Sequence, residues 1–327
     1  MSSTEVVVIT WGRGGAAFAG EADDVLTLGR RVAAALGGEL NWLTLGAVSD
    51  EIEQAAASYG VANIDHVEDA ALAELPPDAT VEALAQYWGQ RDPRVVLFPQ
   101  SFDVRLIAPR LAARTGAAVV MNAADIDVAA DAKLAITASA YGGDTRVVYE
   151  VGADRSCVVS VLANAVASEA AEPASAPVVR DVAVDLGSVE ERIRVLERAT
   201  LEGPRLDGAE IIVSGGRGLA DPENYKLVVE LAAALGGLPG ASRPIVDDGW
   251  VDSSHQVGLT GTITRPRLYV AAGISGASQH MAGCSAAKTI VAINTDADAS
   301  VFRYARYGIV ADCREVLPEL IRAAKSR

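Results

Sequence analysis

The sequence predicts an α/β protein with an N-terminal domain built on a mostly parallel sheet with antiparallel additions, followed by a Rossmann-like domain with a second parallel sheet. Short apolar runs alternate with segments of helical periodicity, as expected for strands covered on both faces by helices. At about 150 residues per domain, 327 residues correspond to about two domains. A new series of strands and helices begins near residue 200, so we place the domains at residues 1–199 and 200–327.

The first half contains apolar runs that we interpret as buried strands, at residues 6–9, 40–45, 64–67, 95–98 and 118–121. Residues 24–36 and 105–114 have the apolar spacing of helices, and each is followed by a glycine that can end a helix, Gly37 and Gly116. This order of elements predicts parallel pairing of the strands.

The segment that follows has little helical signal. Its strand-like runs are separated by Gly and Asp turns and are predicted to be antiparallel additions to the first sheet, at residues 126–128, 134–138, 146–151 and 157–161. Residues 168–177 are polar and contain prolines, which predicts a surface connection.

The second domain has its own series of predicted strands, at residues 211–213, 268–272, 289–293 and 309–311. Asp221 followed by Pro222 is typical of a helix start, and Gly236 and Gly237 can end that helix. The last helix is predicted from Glu315 onward, with four buried apolar positions, Val316, Leu317, Leu320 and Ile321.

The charge balance limits the class of partner. The chain has 28 Lys and Arg and 43 Asp and Glu, a net charge of −15 with neutral histidines. A surface this acidic repels phosphate backbones and anionic lipids, so we expect neither nucleic-acid nor membrane-surface binding. The N-terminus has no basic region followed by a long apolar run, and no stretch reaches the roughly 18 apolar residues of a membrane span, so we expect no membrane insertion and a cytoplasmic location.

The reactive residue types are few and scattered. The three cysteines, Cys157, Cys284 and Cys313, are far apart, which argues against a disulfide framework or a zinc site, and three histidines exclude a His-rich metal site. His255 beside Ser254 is not expected to form a working catalytic pair. Cys284 follows His280 by about one helical turn and is expected to pack beneath a helix.

Glycine and small polar residues concentrate in four segments of the second domain, at residues 214–218, 240–244, 256–261 and 273–280. We expect these segments directly after strands, along the sheet edge where ligands bind. Glycine lets the backbone approach a ligand closely, and Arg217 and Arg243 add positive charge. Each piece alone has an ordinary interpretation: a tight turn, a solvated arginine, a structural His280, a helix cap at Asn294 or a turn at Asp312. Their concentration predicts a site for a phosphate-bearing nucleotide.

These segments also carry a family resemblance. The chain resembles the FAD domain of the electron transfer flavoprotein alpha subunit, the FixB family, at residues 213–218, 224–227, 240–243, 256–261, 273–280, 288–294, 296 and 307–312. The segments occur in the order and spacing of that family. One departure is Tyr141-Gly-Gly-Asp144, where the family usually has Tyr-Ala-Gly-Asn, so a subunit contact there is in doubt.

The resemblance implies one FAD per alpha subunit, held in a cleft that the beta subunit completes. It implies contacts with the pyrophosphate and ribityl chain by Arg217, Ser242, Ser275, Gly276 and Gln279, and contacts with the adenosine half by Asn294 and Asp312. It implies contacts with the isoalloxazine by Arg243, Val257, Gly258, Leu259, Thr260 and His280, with Thr260 near N5 and His280 donating toward the C2 carbonyl. The remaining candidates for cofactor contact are Gln256, Gly273, Ala277, Ser278 and Cys313.

The residue types agree with that chemistry. A flavin that takes up one electron gains negative charge near N1 and the C2 carbonyl, where a guanidinium and a histidine donor stabilise it. A unit charge about 4 Å away, at an effective dielectric constant of 20, is worth about 4 kcal/mol, or about 170 mV for one electron. No nucleophile–base pair is evident near the cleft, which favours an electron carrier over an enzyme.

The resemblance further implies a heterodimer with the beta subunit, which would hold AMP or a second FAD. Electrons would pass from acyl-CoA or related dehydrogenases of fatty acid beta-oxidation to a membrane quinone oxidoreductase, and the FAD domain would turn about a hinge near residue 200. Three alternatives remain: a bifurcating member of the same family that uses NADH, an NAD-dependent enzyme on a similar sheet, and a flavin-free binding module.

Overall fold

A computed structural model describes residues 3–11, 22–140, 145–163, 165–171, 176–193 and 205–326. The chain divides into two compact units, one containing Met1–Ala140 and Arg146–Arg198 and the other containing Tyr141–Thr145 and Ala199–Arg327. Each unit is an α/β structure with its own sheet, as the sequence predicts.

The first unit contains a nine-stranded sheet in the order β7-β6-β5-β8-β4-β1-β2-β3-β9. Its strands are β1 (Val6–Trp11), β2 (Leu40–Leu45), β3 (Asn63–Val67), β4 (Val95–Pro99), β5 (Ala118–Val128), β6 (Leu134–Ala140), β7 (Thr145–Val151), β8 (Cys157–Val161) and β9 (Val178–Asp181). Its helices are α1 (Asp23–Leu36), α2 (Asp50–Tyr59), α3 (Pro77–Arg91) and α4 (Phe102–Thr115).

Helices cover both faces of this sheet because its central strands are apolar on both sides. Apolar residues of α1 and α2 pack on one face, around Leu28 and Ile52. Apolar residues of α3 and α4 pack on the other face, around Leu84 and Ile107. The sequence analysis located α1 and α4 but did not define α2 and α3.

The prediction for residues 157–161 is wrong in one respect. β8 is not an antiparallel addition, because it pairs in parallel with both β4 and β5 and lies between them. All five of its residues are buried, as in an interior strand of a parallel sheet. The antiparallel pairing of β5 with β6 is confirmed.

β5 also unites two runs that were predicted as separate strands. Asn122 has a φ of 60°, and the pairing registers shift around it. Residues before Asn122 pair with β8, Ala123 pairs with both β8 and β6, and the residues from Asp125 onward pair with β6. A bulge of this kind bends a strand and lets it change partners.

The second unit contains a five-stranded sheet in the order β11-β10-β12-β13-β14, with parallel pairing throughout. Its strands are β10 (Ile211–Gly215), β11 (Leu238–Ala241), β12 (Leu268–Ala272), β13 (Ile290–Asn294) and β14 (Tyr307–Val310). Its helices are α5 (Tyr225–Leu235), α6 (Arg243–Asp247), α7 (Ser278–Met281) and α8 (Cys313–Lys325). β11 was not predicted, because its sequence Leu-Pro-Gly-Ala lacks a strand pattern.

Aspartates cap two helix starts in the second unit, and the first of these caps was predicted from the sequence. Asp221 accepts a hydrogen bond from the Glu223 amide and caps a short 3₁₀ turn that leads into α5. α8 begins at Cys313, two residues earlier than predicted, because Asp312 caps it. Leu317 and Ile321 are buried as predicted, whereas Val316 and Leu320 are half-buried. Among the helices that the structure describes, none is long and apolar enough to cross a membrane.

A carboxylate late in the first unit caps α3. The Glu191 carboxylate accepts hydrogen bonds from the amides of Asp78 and Ala79, at 2.9 and 3.2 Å. Asp78 in turn bonds the side chains of Arg110 and Arg192, and these partners hold its pKa well below the ordinary value. The chain is therefore tied to α3 shortly before it leaves this unit.

We predict that Glu191→Ala lowers the free energy of unfolding by about 1 kcal/mol, because a helix N-terminus loses its side-chain acceptor. Urea unfolding of the full chain measures this change. The matched control is Glu190→Ala, which removes an exposed neighbouring carboxylate that makes no such cap. Equal losses in the two variants would contradict the capping role.

Candidate functional site

The turns that follow β10 and β12 contact each other through glycines. The Gly216 amide donates to Ala272 O at 3.0 Å, and the Gly218 amide donates to Gly273 O at 2.9 Å. A Cβ atom at Gly218 would lie 2.5 Å from Gly273 Cα, too close for any side chain. The first and fourth glycine segments therefore meet at the carboxyl edge of the sheet.

The second segment is attached to the same edge. The Ser242 amide donates to Gly215 O at 2.9 Å, and Ser242 is buried directly before α6. Arg243, the first residue of α6, is exposed beside it.

The third segment does not follow a strand, which corrects the prediction for residues 256–261. It follows a 3₁₀ turn, Ser253–His255, and joins the edge through the Val257 amide, which donates to Ala241 O at 2.9 Å. Gln256 is buried, and its side-chain amide donates to Thr260 Oγ1 at 3.0 Å. The first, second and fourth segments thus follow strands, and the third segment joins them through backbone hydrogen bonds.

The third and fourth segments are also joined. The Leu259 amide donates to Gln279 O at 2.7 Å. Gly258, with a φ of 143°, has no room for a Cβ, which would lie 2.9 Å from the same carbonyl oxygen. The four segments therefore form one continuous backbone surface.

The fourth segment presents small polar residues to solvent. Ser275, Ala277 and Gln279 are exposed, Ser278 is half-buried, and Gly276 is buried with a φ of 83°. The Val301 amide donates to Ser275 O at 3.0 Å and fixes this loop.

Two carboxylates that the sequence analysis missed hold the two predicted arginines. Arg217 Nε and Nη2 donate to the Asp248 carboxylate at 3.0 and 3.1 Å. Arg243 Nε donates to Asp247 at 3.1 Å. The Arg217 and Arg243 side chains are 65% and 62% exposed, so both charges remain accessible to a ligand. The i, i+4 spacing of Arg243 and Asp247 is a sequence pattern from which this second ion pair could have been predicted.

His280 is buried at this edge with one nitrogen unpaired. Its Nε2 lies 2.9 Å from the Tyr269 hydroxyl, and its Nδ1 has no hydrogen-bond partner within the described chain. Burial lowers the pKa of His280 from 6.5 to about 4, against a smaller opposing effect of the nearby Val257 backbone, so the ring is neutral near pH 7 and carries one N–H. A protonated ring, which was allowed from the sequence, is therefore disfavoured.

Three further candidates lie where β13 and β14 end, and each already has a partner in the chain. Asn294 Nδ2 donates to Ile274 O at 2.9 Å, Asp312 caps α8, and Cys313 Sγ lies 3.5 Å from Gly218 O. The ordinary interpretation of Asp312 from the sequence is a turn residue, whereas the structure makes it a helix cap. Their contacts with a cofactor stay predictions.

His255 and Cys284 were predicted to have no catalytic role. Their side chains are directed to backbone carbonyls. His255 Nδ1 lies 3.0 Å from Pro239 O. Cys284 is buried, its Sγ lies 3.6 Å from His280 O, and burial raises the pKa of its thiol to about 12. Residues 141–144, with the family departure, and the hinge near residue 200 lie outside the described residues.

The residues at this edge fit a dinucleotide with a polar ring system. The arginines and the backbone amides of the glycine segments can bind phosphates by donating hydrogen bonds. The buried Nδ1 of His280, which has no partner in the described chain, can form a hydrogen bond with a ring carbonyl or nitrogen. Within the described ranges, no cluster of three or more His, Cys, Asp or Glu residues could hold a metal ion.

Comparison with known proteins identifies the family. The electron transfer flavoprotein domain matches residues 5–186, and the electron transfer flavoprotein FAD-binding domain matches residues 205–285. The chain belongs to the electron transfer flavoprotein alpha-subunit family. It is 33% identical to the electron transfer flavoprotein subunit alpha of Thermoanaerobacterium thermosaccharolyticum over 92% of both chains. It is 34% identical to protein FixB of Clostridium saccharobutylicum over 92% of this chain and 91% of that protein.

A shorter match has a higher identity. Protein FixB of Azotobacter vinelandii is 53% identical over 128 residues, which are 39% of this chain and 36% of that protein. The resemblance stated from the sequence is therefore confirmed at the level of the family.

The low pKa of His280 predicts a pH dependence of stability. An unfolded chain binds a proton at this residue below about pH 6.5, whereas the folded chain binds it only below about pH 4. Stability is therefore full above pH 6.5 and falls as the pH drops toward 4, by up to about 3 kcal/mol from this group. Urea unfolding across that range should show a flatter pH profile for His280→Gln than for the unmodified chain. Equal slopes would contradict the burial argument.

Proposed function

We propose that this chain is the FAD-binding alpha subunit of a heterodimeric electron transfer flavoprotein. It carries single electrons from acyl-CoA or related flavoprotein dehydrogenases to a membrane quinone oxidoreductase. The observation that carries the proposal is the continuous surface of four glycine segments, with two exposed arginines and the buried His280 along one sheet edge. The family membership supports the same assignment.

The proposed binding roles follow the chemistry of each residue. The exposed Arg217 guanidinium and the Ser275–Gln279 loop bind the pyrophosphate, because anions bind best where guanidinium and backbone N–H groups converge. Gly276 and Ser242 contribute to this binding at the ends of β12 and β11. Asn294, Asp312 and Cys313 lie toward the adenosine half.

The flavin supplies the redox chemistry when bound, because its ring accepts electrons singly. The residues on the flavin side orient that ring and set its electrostatic surroundings. Arg243 supplies a permanent positive charge, and His280 supplies one neutral N–H donor. Thr260 provides a hydroxyl on the loop formed by Gln256, Val257, Gly258 and Leu259.

A carrier role agrees with the state of the titratable groups described at this edge. His280 is neutral and buried, so it is poorly suited to exchange protons with a substrate near pH 7. Burial keeps the Cys284 thiol protonated and therefore a weak nucleophile. The N-terminal domain, residues 1–199, is proposed to contact the beta subunit.

Co-expression of this chain with its beta subunit tests the proposal. We expect a yellow heterodimer whose absorption spectrum shows FAD and whose reduction proceeds in two separate one-electron steps. A preparation that stays colourless with added FAD would overturn it. Two FAD per heterodimer together with oxidation of NADH would instead indicate the bifurcating alternative, and FAD with AMP would support the simple carrier.

We predict that Arg243→Ala lowers the first reduction potential of the heterodimer. The positive charge next to the ring is lost, and the effect should stay below about 170 mV because the side chain is 62% exposed and screened by solvent. Stepwise potentiometric reduction measures this potential. Arg267→Ala is the matched control, since Arg267 is exposed immediately before β12, at the opposite edge of the sheet. A drop of the same size in the control would remove the local electrostatic explanation.

His280→Ala should shift the first reduction potential in the same direction as Arg243→Ala but less, because a neutral donor is lost.

Asp247→Asn is expected to change the first reduction potential in the opposite direction to Arg243→Ala. Its carboxylate lies 3.1 Å from Arg243 Nε and offsets part of that charge. Removing the negative charge should raise the first reduction potential, by less than the change seen with Arg243→Ala, since Asp247 is itself 57% exposed. A lowered potential would show that Asp247 acts by positioning Arg243 rather than by its charge.

A further inference from the structure

A hydrogen bond between two buried side chains lies beneath the flavin side of the candidate site. The Tyr269 hydroxyl is 2.9 Å from His280 Nε2, Tyr269 is 0% exposed, and His280 is 7% exposed. Tyr269 belongs to β12, and its side chain packs with Ala271 and Met281 on the same face of the sheet. Water therefore does not compete for this bond.

Both groups are uncharged near pH 7. Burial raises the pKa of the Tyr269 phenol well above its ordinary value, so the phenol keeps its proton. Burial also lowers the pKa of His280, so its ring has a single N–H. The bond therefore has two possible directions, and each corresponds to one tautomer of His280.

The surroundings of Tyr269 favour one direction. A buried phenolic O–H needs an acceptor. The Cys284 thiol lies near the phenol but is a weak acceptor and is directed to the His280 carbonyl. The Ser214 hydroxyl also lies near the phenol and lowers its pKa, as a group that donates to the phenol oxygen does. The bare Nε2 of His280, at 2.9 Å, is therefore the strongest acceptor beside the phenol.

The backbone of His280 cannot make this choice. Its amide donates to Ala277 O at 2.9 Å, and its carbonyl accepts from the Gly283 amide at 3.0 Å. Neither contact involves the ring. The Val257 backbone acts on the ring more weakly than burial does, and the bond to Tyr269 at 2.9 Å is the side-chain contact of a ring nitrogen.

We propose that Tyr269 is a positioning residue that fixes the tautomer of His280: its hydroxyl donates to Nε2 and leaves the proton on Nδ1, the nitrogen without a partner in the described chain. His280 then offers a pre-oriented donor at Nδ1. In the other tautomer, Nδ1 would offer a lone pair, which repels a carbonyl oxygen. The effect on FAD rests on the proposed function, whereas the tautomer does not.

Nitrogen NMR of the histidine rings tests the tautomer without FAD. The full chain has three histidines, His66, His255 and His280, and His280→Gln assigns the third signal. With labelled histidine near pH 7, we expect the His280 proton on Nδ1 in the unmodified chain. We expect Tyr269→Phe to move it, in whole or in part, to Nε2. A proton on Nε2 in the unmodified chain, or an unchanged tautomer in Tyr269→Phe, would overturn the proposal.

The matched control is Tyr225→Phe. Tyr225 is also buried in the second unit, but its hydroxyl donates to Gly240 O at 3.1 Å and leaves His280 untouched. Its His280 tautomer should equal that of the unmodified chain. If Tyr269→Phe fails to fold, the ring signal of the unmodified chain still decides the direction of the bond, and a proton on Nε2 refutes the proposal.

The heterodimer provides a second readout. If it binds FAD, Tyr269→Phe should raise the FAD dissociation constant about fivefold, the value of one net hydrogen bond. It should also lower the first reduction potential, because the negative charge near the C2 carbonyl loses a donor. A shifted tautomer with unchanged affinity and potential would refute the link to FAD. Absence of FAD binding in every variant would refute the proposed function alone.

Discussion

The candidate site depends on one backbone contact, the packing of Gly218 against Gly273. Neighbouring parallel strands lie about 4.8 Å apart, so the turns that leave them touch only where side chains are absent. The Gly273 amide also donates to Ile293 O at 2.9 Å, which ties the contact to β13. A side chain at either glycine would separate the turns and move Arg217 away from the Ser275 loop. The glycines therefore bring together the groups that we propose to bind phosphate.

The charges at this edge follow from the composition of the chain. In a protein of net charge −15, an exposed arginine readily finds a carboxylate, and Arg217 and Arg243 pair with Asp248 and Asp247. Exposed pairs of this kind contribute about 0–1 kcal/mol, so a pyrophosphate, which carries one negative charge on each phosphate, can replace the Asp248 carboxylate at small cost. The carboxylates hold the guanidinium groups at the edge without blocking them.

Patterns repeated along the chain made the architecture predictable, and local glycine patterns made the meeting of the loops at one sheet edge predictable. Alternating apolar runs and helical periods indicated two α/β units, and glycines after strands indicated the ligand edge. β8 was assigned the wrong direction because its insertion between β4 and β5 depends on the long-range pairing of strands far apart in sequence. Asp248 and Tyr269 were missed for the same reason, since their partners lie 31 and 11 residues away.

The proposed flavin side of the site combines two kinds of electrostatic support with different physical limits. Arg243 is charged at every working pH, but its exposure makes its effect sensitive to salt. His280 is neutral above about pH 4, and its burial protects its hydrogen bond from water and ions. Salt should therefore weaken the arginine's contribution and leave the histidine's in place. Whether His280 acts as a donor at Nδ1 then depends on which of its two ring nitrogens carries the proton. The Tyr269 hydroxyl contacts Nε2, the other nitrogen, and its hydrogen bond there favours the proton on Nδ1.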